Sequence, residues 1–353
     1  MKIAMIVPNL PPTVCGVYDY TRKLAEHWPT RAQWTLVCSQ EGYAWPGAEV
    51  EKCRRSGPLL ADVLAALEPD VVALQYTCFG YADNGKPKWL ADGLELFRKQ
   101  SKALVVVMFH ELHYTGRFYS RAYWRNSSQQ EVIKRLCAVS HGVLTGTPTN
   151  VAEIKRISRC RAMFAPIPSN IDPVAQASFS DEGPIRIAVF GLQESRIRTL
   201  EPYAWTPMHE HLELVMIGAG LKNGLSDREA SLVNKLKPTK LELRAETEPE
   251  AVSRALASCH VLLCPYGAEE VPKSGAAMAA LAHGLAVVAY GKPLKEGPPF
   301  ISAGSKKADL PLLSFLDAEK PILAQMGAAG RKWYEENSGW PRAVAAWHAA
   351  LTH

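Results

Sequence analysis

The stretch ALVVVMFHEL delivers His110 and Glu111 directly from a β-branched run that reads as a buried strand. An imidazole and a carboxylate at a sheet edge can accept a ligand hydroxyl, meet a phosphate or relay a proton near neutral pH. A surface histidine at a strand end is the competing reading, and His113, further along the loop, has the weaker claim. The most specific segment is PYGAEEVPKSGAAMAALAHGLAVVA, 265–289. There a strand gives way to a polar loop with Glu269, Glu270, Lys273 and Ser274, and then to a small-residue helix opening at Gly275 and Ala276. Backbone N–H groups at a helix start, with a lysine beside them, suit a phosphate. A tightly packed core helix behind a charged loop is the alternative.

Three further strand ends offer groups of the same kind. VPNLPPTVCGVYDYTRKLAEHW runs from strand through prolines to Gly16 and a helix. That junction suits an anion, although one glycine alone reads better as a plain turn needing positive φ. In FGLQESRIRTLE, Arg196 or Arg198 could neutralise a departing diphosphate, or either could sit on a solvated helix start. MIGAG adds a glycine turn at Gly218. No two aspartates stand two apart, so a metal-bridged diphosphate site of the D-x-D kind lacks its ligands and no metal is expected. The charge would have to be met by arginine, lysine and helix starts.

The elements that must position these residues alternate between strand and helix throughout, which argues an α/β protein with parallel sheets. In the first half, KIAMIVP, WTLVCS, VVALQY, ALVVVMFH and GVLTGT read as strands, with helices such as 18–27 and 89–99 between them. The stretch APIPSNIDPVAQASFSDEGP has linker composition, and a second series, IRIAVFGL, LELVMIGAG, LELRAE, HVLLCPYG and LAVVAYG, follows. The expected organisation is two Rossmann-like domains, 1–173 and 184–335, broken at 174–184, with a C-terminal helix over 336–353. The C-terminal ends of both sheets would face one cleft, the edge where open α/β sheets bind ligands.

Composition narrows the class. The chain has 353 residues, 47% hydrophobic and 21% charged, with a net charge of +5. Two domains suit that length. Its lysines and arginines are spread rather than blocked, which argues against nucleic acid. The apolar runs are too short to span a bilayer, and the N-terminus reads as a strand rather than a signal peptide. The eight cysteines form no C-x-x-C pair and point to free thiols in a reducing cytoplasm.

On these residues the chain resembles the retaining, nucleotide-sugar-dependent glycosyltransferases of family four, which have the GT-B fold, over nearly its whole length. PPTVCGVYDYTRKLA is similar to the family's opening, with Gly16 matched and Tyr18 in place of a second glycine. MFHEL, IPSNID, AALAHGLAVVA and SGW near Trp340 resemble its strand-end histidine, its segment before the linker, its A-L-A-H-G-L helix and its returning C-terminal helix. The resemblance implies glycosyl transfer from a nucleotide diphosphate sugar, UDP- or GDP-linked, to an acceptor hydroxyl, with retention and without metal or other cofactor. It puts Gly16 at the donor diphosphate, His110 by the transferred sugar, and Arg196 or Arg198 with Lys273 at the leaving group. The family's two glutamates, with seven residues between them, correspond here to Val271 and Ala279, so Glu269 or Glu270 would take over contacts to sugar hydroxyls. At Tyr18 either the diphosphate sits differently or the ring partly fills its site.

A non-catalytic sugar-nucleotide binder of the same fold is the second reading, and an epimerase or phosphorylase a third. Donor partners are nucleotide sugars, and the acceptor is a carbohydrate, a lipid-linked or a small molecule. The stretch HYTGRFYSRAYWRN spaces Arg117, Arg121 and Arg125 on one helical stripe, which could rest on the inner face of an anionic membrane or be a solvated face.

Overall fold

The computed structural model describes residues 1–112, 121–175, 177, 183–204, 212–246, 248–303 and 320–352, with the side chains of 121–126 outside the description. The chain divides into unit 1, Met1–Pro166 with Trp340–His353, and unit 2, Ile167–Gly339. In chain order unit 1 holds β1 (Lys2–Ile6), α1 (Gly16–Glu26), β2 (Gln33–Cys38), β3 (Ala48–Lys52), α2 (Gly57–Leu67), β4 (Val71–Tyr76), α3 (Cys78–Tyr81) and α4 (Lys88–Gln100). It continues with β5 (Leu104–Phe109), α5 (Arg121–Val139), β6 (Gly142–Thr145), α6 (Pro148–Ser158) and β7 (Met163–Phe164). Unit 2 holds β8 (Ile185–Phe190), α7 (Gln193–Leu200), β9 (Leu212–Ile217), α8 (Asp227–Leu236), β10 (Lys240–Arg244), α9 (Pro249–Ala257) and β11 (Val261–Gly267). After it come α10 (Gly275–His283), β12 (Ala286–Tyr290), β13 (Ile301–Ser302) and α11 (Lys320–Asn337), and α12 (Trp340–Thr352) returns the chain to unit 1.

Each unit is built on a wholly parallel sheet. The orders are β3-β2-β1-β4-β5-β6-β7 and β10-β9-β8-β11-β12-β13. Parallel strands need crossover helices that cover both faces, and the central strands accordingly carry unbroken apolar runs. Every residue of β4 is buried, and so is β5 from Val105 onward. In both sheets the strand order reverses once, between β1 and β4 and between β8 and β11. Adjacent loops diverge there and leave room for a ligand at the strands' carboxyl ends.

The expected break at 174–184 falls inside unit 2. The Ser169 N–H donates to the Tyr334 hydroxyl (3.1 Å), the Val174 N–H to Ser253 Oγ (2.9 Å) and the Ala177 N–H to the His283 carbonyl (3.0 Å). These bonds hold a proline-rich stretch whose composition alone looks like linker. Likewise Ser338 lies within unit 2, donating toward the Ile167 carbonyl.

Helix α12 docks on unit 1 through Trp340, Ala343, Val344, Trp347 and Ala350, a buried stripe at helical spacing. Its Trp347 indole N–H donates to the Tyr20 hydroxyl at 2.9 Å, and Trp340 packs on the Tyr20 ring at 5.3 Å. Two histidines stack on the same seam, His27 on Trp340 at 5.2 Å and His348 on Trp28 at 4.5 Å. Gly142 makes the close approach possible: a Cβ there would lie 2.3 Å from the Ala350 carbonyl oxygen. Backbone cannot yield as a side chain can, so Gly142→Ala is expected to destabilise the protein by about 1–3 kcal/mol. Urea denaturation monitored by tryptophan fluorescence measures it; a loss below a few tenths of a kcal/mol would contradict the packing.

Candidate functional site

In unit 2 the reversal point is framed by the ends of β8 and β11, and most of the residues singled out from sequence gather there. Beyond β8 the chain turns at Gly191 (φ 141°) into α7. Arg196 on that helix does not face a ligand. It is 1% exposed, its Nε donates to Glu229 Oε1 at 2.8 Å, and its Nη1 donates to the carbonyls of Gly191 (2.6 Å) and Ala219 (3.0 Å). The expectation that Arg196 neutralises a diphosphate is therefore corrected: its donors brace the loops after β8 and β9. Gly218 is glycine for the same packing reason, since a Cβ would lie 2.3 Å from the Gly191 oxygen, at a φ of 135°.

Glu229 completes the brace. It closes a capping box with Ser226 at the start of α8, where the Ser226 N–H (3.0 Å) and hydroxyl (2.7 Å) both donate to Oε2. Burial opposes its charge, but the Ser226 bonds and the Arg196 guanidinium outweigh it and hold the carboxyl below its ordinary value.

Arg198, two residues on, is exposed and stays available. Tyr266 at the end of β11 lies in the fields of Arg198 and Glu270; burial, the largest influence, pushes its hydroxyl pKa up. The Glu270 carboxylate accepts from the Gly267 N–H at 3.3 Å, so it braces its own turn, while Glu269 is exposed. A 3-10 turn, Val271–Lys273, then leads to α10 and leaves Lys273 exposed. Ser274 is buried and caps the helix, its Oγ accepting from the Ala277 N–H at 3.2 Å. Among the described residues the N–H groups of Gly275 and Ala276 have no acceptor, and no atom lies within 4 Å of where a Gly275 Cβ would be. That is an open, positively polarised helix start with a lysine two residues before it.

His283, deep in α10, is structural. Its Nδ1 donates to the Ala279 carbonyl and its Nε2 accepts from Ser253, both at 2.7 Å. Val271 and Ala279 are both fully buried, so neither place has room for a carboxylate.

In unit 1, Gly16 is the first residue of α1, with open space where a Cβ would go and no positive φ. The turn that would need glycine for its backbone angle is not what Gly16 makes. Tyr18, two residues on, is 6% exposed and turns its ring to Trp45 at 6.0 Å, packing against the loop after β2. Burial raises its hydroxyl pKa, with Arg22 opposing.

His110 ends β5 with its ring held on two sides. Its Nε2 is 2.7 Å from Gln75 Oε1 of β4, and the Tyr20 ring stands edge-on at 5.1 Å. Burial pushes its pKa down to about 4, so the ring is neutral at physiological pH. Glu111 is exposed, and its charge is felt by the buried Tyr76 hydroxyl and Cys78 thiol, whose pKa values burial chiefly raises. His113 lies outside the described residues, as does the membrane reading of Arg117, Arg121 and Arg125, whose side chains are not described. Among the described residues no cluster of histidine, cysteine and carboxylates could hold a metal, and no helix is long and apolar enough to cross a membrane.

Sequence reasoning missed Gln75, Tyr20, Ser195 and Tyr266. Only Gln75 carried a signal, as an amide interrupting an otherwise apolar strand.

The Arg196–Glu229 pair is buried on both sides, so removing one partner strands the other's charge. Arg196→Met is expected to cost about 3–5 kcal/mol, and the double change to Met at 196 and Leu at 229 clearly less. Urea melts of both variants test this, and a single-variant loss under about 1 kcal/mol would refute the brace. Because the folded Glu229 pKa is lowered, its contribution is present above its ordinary value of 4.5 and lost as pH falls through the lower folded value.

The sequence matches no family model, and a search of curated proteins returns no match. Solved structures do match. HepE of Anabaena, in complex with UDP and glucose, is similar over 100% of this chain and 99% of its own, with a TM-score of 0.67 and 11% identity. The lipopolysaccharide outer core galactosyltransferase WaaB, in its apo form, gives 0.62 at 10% identity over 100% and 99% of the two chains. MurG of Acinetobacter baumannii gives 0.54 at 11%, over 99% of each. Across identities this low it is the architecture that is shared: two Rossmann-like halves of the GT-B fold, spanning the full chain.

Proposed function

We propose that the protein is a glycosyltransferase that uses a nucleotide diphosphate sugar, with UDP as the favoured nucleotide. The observation that carries this reading is the open start of α10 at the reversal point of unit 2. Unaccepted N–H groups on Gly275 and Ala276, the Lys273 ammonium and the exposed Arg198 are the donors a diphosphate needs. A fold shared with HepE, solved with UDP and with UDP-glucose, supports the nucleotide.

In this reading the bond between the anomeric carbon and the diphosphate oxygen breaks, the acceptor oxygen forms the new bond on the same face, with retention, and the acceptor's proton passes to the departing diphosphate oxygen. The leaving diphosphate takes up negative charge as it departs. Lys273, Arg198 and the α10 dipole stabilise that charge without a metal, and one lost donor of this kind costs roughly 10²–10³ in rate. Gly16 lies at the start of α1, where its small size leaves backbone accessible to substrate. His110, neutral and partly accessible, accepts a hydroxyl; Glu269 is free to accept others.

One observation favours a non-catalytic binder instead. The places of the family's glutamate pair are filled by Val271 and Ala279, both in the core. The two readings part on turnover, since both bind nucleotide sugar but only the enzyme consumes it.

Thermal shift with UDP, GDP, UDP-glucose and related sugars is the first experiment. A ligand at about 100 times its Kd stabilises by about 2.7 kcal/mol, a readily visible shift. UDP compounds are expected to raise Tm, and Lys273→Ala and Arg198→Ala to weaken them about tenfold or more each without lowering the unliganded Tm. No shift with any nucleotide, or wild-type affinity in both variants, would overturn the assignment. Binding without donor hydrolysis or transfer would select the non-catalytic reading.

A further inference from the structure

We propose that Gln75 is the positioning residue of His110: it locks the imidazole as the Nε2–H tautomer and leaves Nδ1 as a bare acceptor for a substrate hydroxyl. The inference rests on the proposed function for what His110 meets, but not for the tautomer itself.

Gln75 is fully buried in a strand that is otherwise apolar or aromatic, VVALQY. Burying an amide costs free energy unless it is hydrogen-bonded, so its presence there calls for a partner. Its Nε2 lies 3.5 Å from Met5 Sδ, a weak acceptor, and its Oε1 lies 2.7 Å from His110 Nε2. An amide oxygen has no hydrogen to give. The ring nitrogen must therefore donate, which fixes the proton on Nε2 and, in a neutral ring, strips it from Nδ1.

The remaining surroundings keep the ring neutral and still. The His110 backbone N–H donates to the Tyr76 carbonyl at 3.0 Å, anchoring the ring's base on the same strand that carries Gln75. Tyr20 of α1 faces the ring edge-on, and its hydroxyl already accepts the Trp347 N–H of α12. Burial keeps the Tyr20 and Tyr76 hydroxyls protonated far above neutral pH. From β6, Thr145 donates to the Phe109 carbonyl and not to the ring. Glu111, next in the chain, is exposed. Among the described residues burial alone accounts for the lowered His110 pKa.

The chemistry that follows is selective. A bare Nδ1 accepts from a hydroxyl or an N–H, and a neutral imidazole offers nothing to a phosphate, which needs donors. A histidine this acidic is also a poor general base near pH 7. Of the three tasks open to His110 from sequence, hydroxyl recognition is the one this geometry performs, and it fits a polyhydroxylated ligand.

The test is ¹⁵N NMR of histidine-labelled protein with His110→Ala for assignment. The expected wild-type spectrum has His110 protonated on Nε2, bare on Nδ1 and neutral through pH 6. Gln75→Glu places a carboxylate beside the ring, so the His110 pKa should rise by at least one unit and the acid limb of any kcat profile should move up with it. Gln75→Leu should mix the tautomers and lower kcat about tenfold or more, with a smaller change in donor KM. Circular dichroism melts establish that both variants fold. Nδ1-protonated wild-type His110, or an unchanged titration in folded Gln75→Glu, would overturn the proposal. The wild-type spectrum needs neither variant nor substrate, so the tautomer stands or falls separately from glycosyl transfer: an Nε2–H ring in a protein that turns over no sugar nucleotide would sink the proposed function and leave Gln75's role intact.

Discussion

A buried guanidinium organises the strand ends of unit 2. Two loops leave adjacent parallel strands at Gly191 and Gly218, and their carbonyls would face each other's chain without a donor between them. Arg196 supplies that donor, bonding the Gly191 and Ala219 oxygens at once, while Glu229 neutralises it from α8. A desolvated ion pair is an expensive device, tolerable only when its remaining donors and lone pairs are satisfied. Here Nε and Nη1 of Arg196 are engaged, by Glu229 and by two backbone carbonyls, and the second carboxylate oxygen of Glu229 is held by the capping box of Ser226. Gly218 belongs to the same arrangement, because any side chain would strike the Gly191 oxygen. With those loops fixed, Ser195 and Arg198 are held at set places on α7.

The two units repeat a solution to another backbone problem. Just before β6, His141 takes a backbone N–H from Val105 on its Nδ1 (2.8 Å) and gives its own N–H to the Val105 carbonyl (2.8 Å). Just before β11, His260 does the same with Arg186, at 2.9 Å for both bonds. In each case the imidazole extends the ladder by one rung where a parallel strand begins and would otherwise leave an N–H unpaired. Two histidines that look like candidates for chemistry are thus absorbed by the sheets. His283 is absorbed likewise, by Ser253 and the Ala279 carbonyl. Histidine type and motif cannot separate these from His110; the identity of the atom facing each nitrogen does.

That distinction explains what the sequence revealed. Strands rich in Val, Ile and Leu announce themselves, and β1, β2, β4, β5, β6, β8, β9, β10, β11 and β12 lie where alternation with helices puts them. β3 escaped because AEVEK is an edge strand, exposed on both faces and charged to discourage further pairing. The start of α10 was legible because Lys-Ser-Gly before a run of alanines encodes a cap, a close backbone and a charge in consecutive positions. Arg196 and Arg198 were not separable: two residues apart on one helix, they point to different sides, and burial of one is a fact of tertiary packing. The proline-rich stretch after residue 166 looked like linker because composition registers prolines but not the long-range bonds from Ser169, Val174 and Ala177.

The start of α10 and the ring of His110 offer opposite hydrogen-bonding capacities, each forced by its local chemistry. The α10 start offers donors only: N–H groups, an ammonium and, nearby, a guanidinium. Such a place favours anions and gains nothing from a neutral hydroxyl acceptor beyond an ordinary hydrogen bond. His110 offers the opposite, a single acceptor in a neutral ring whose charged form burial disfavours. A ligand made only of phosphate would have no use for His110, and one made only of hydroxyls would leave the helix start without its anion. The sugar nucleotide proposed above carries both a diphosphate and hydroxyls, and so would call on both kinds of group.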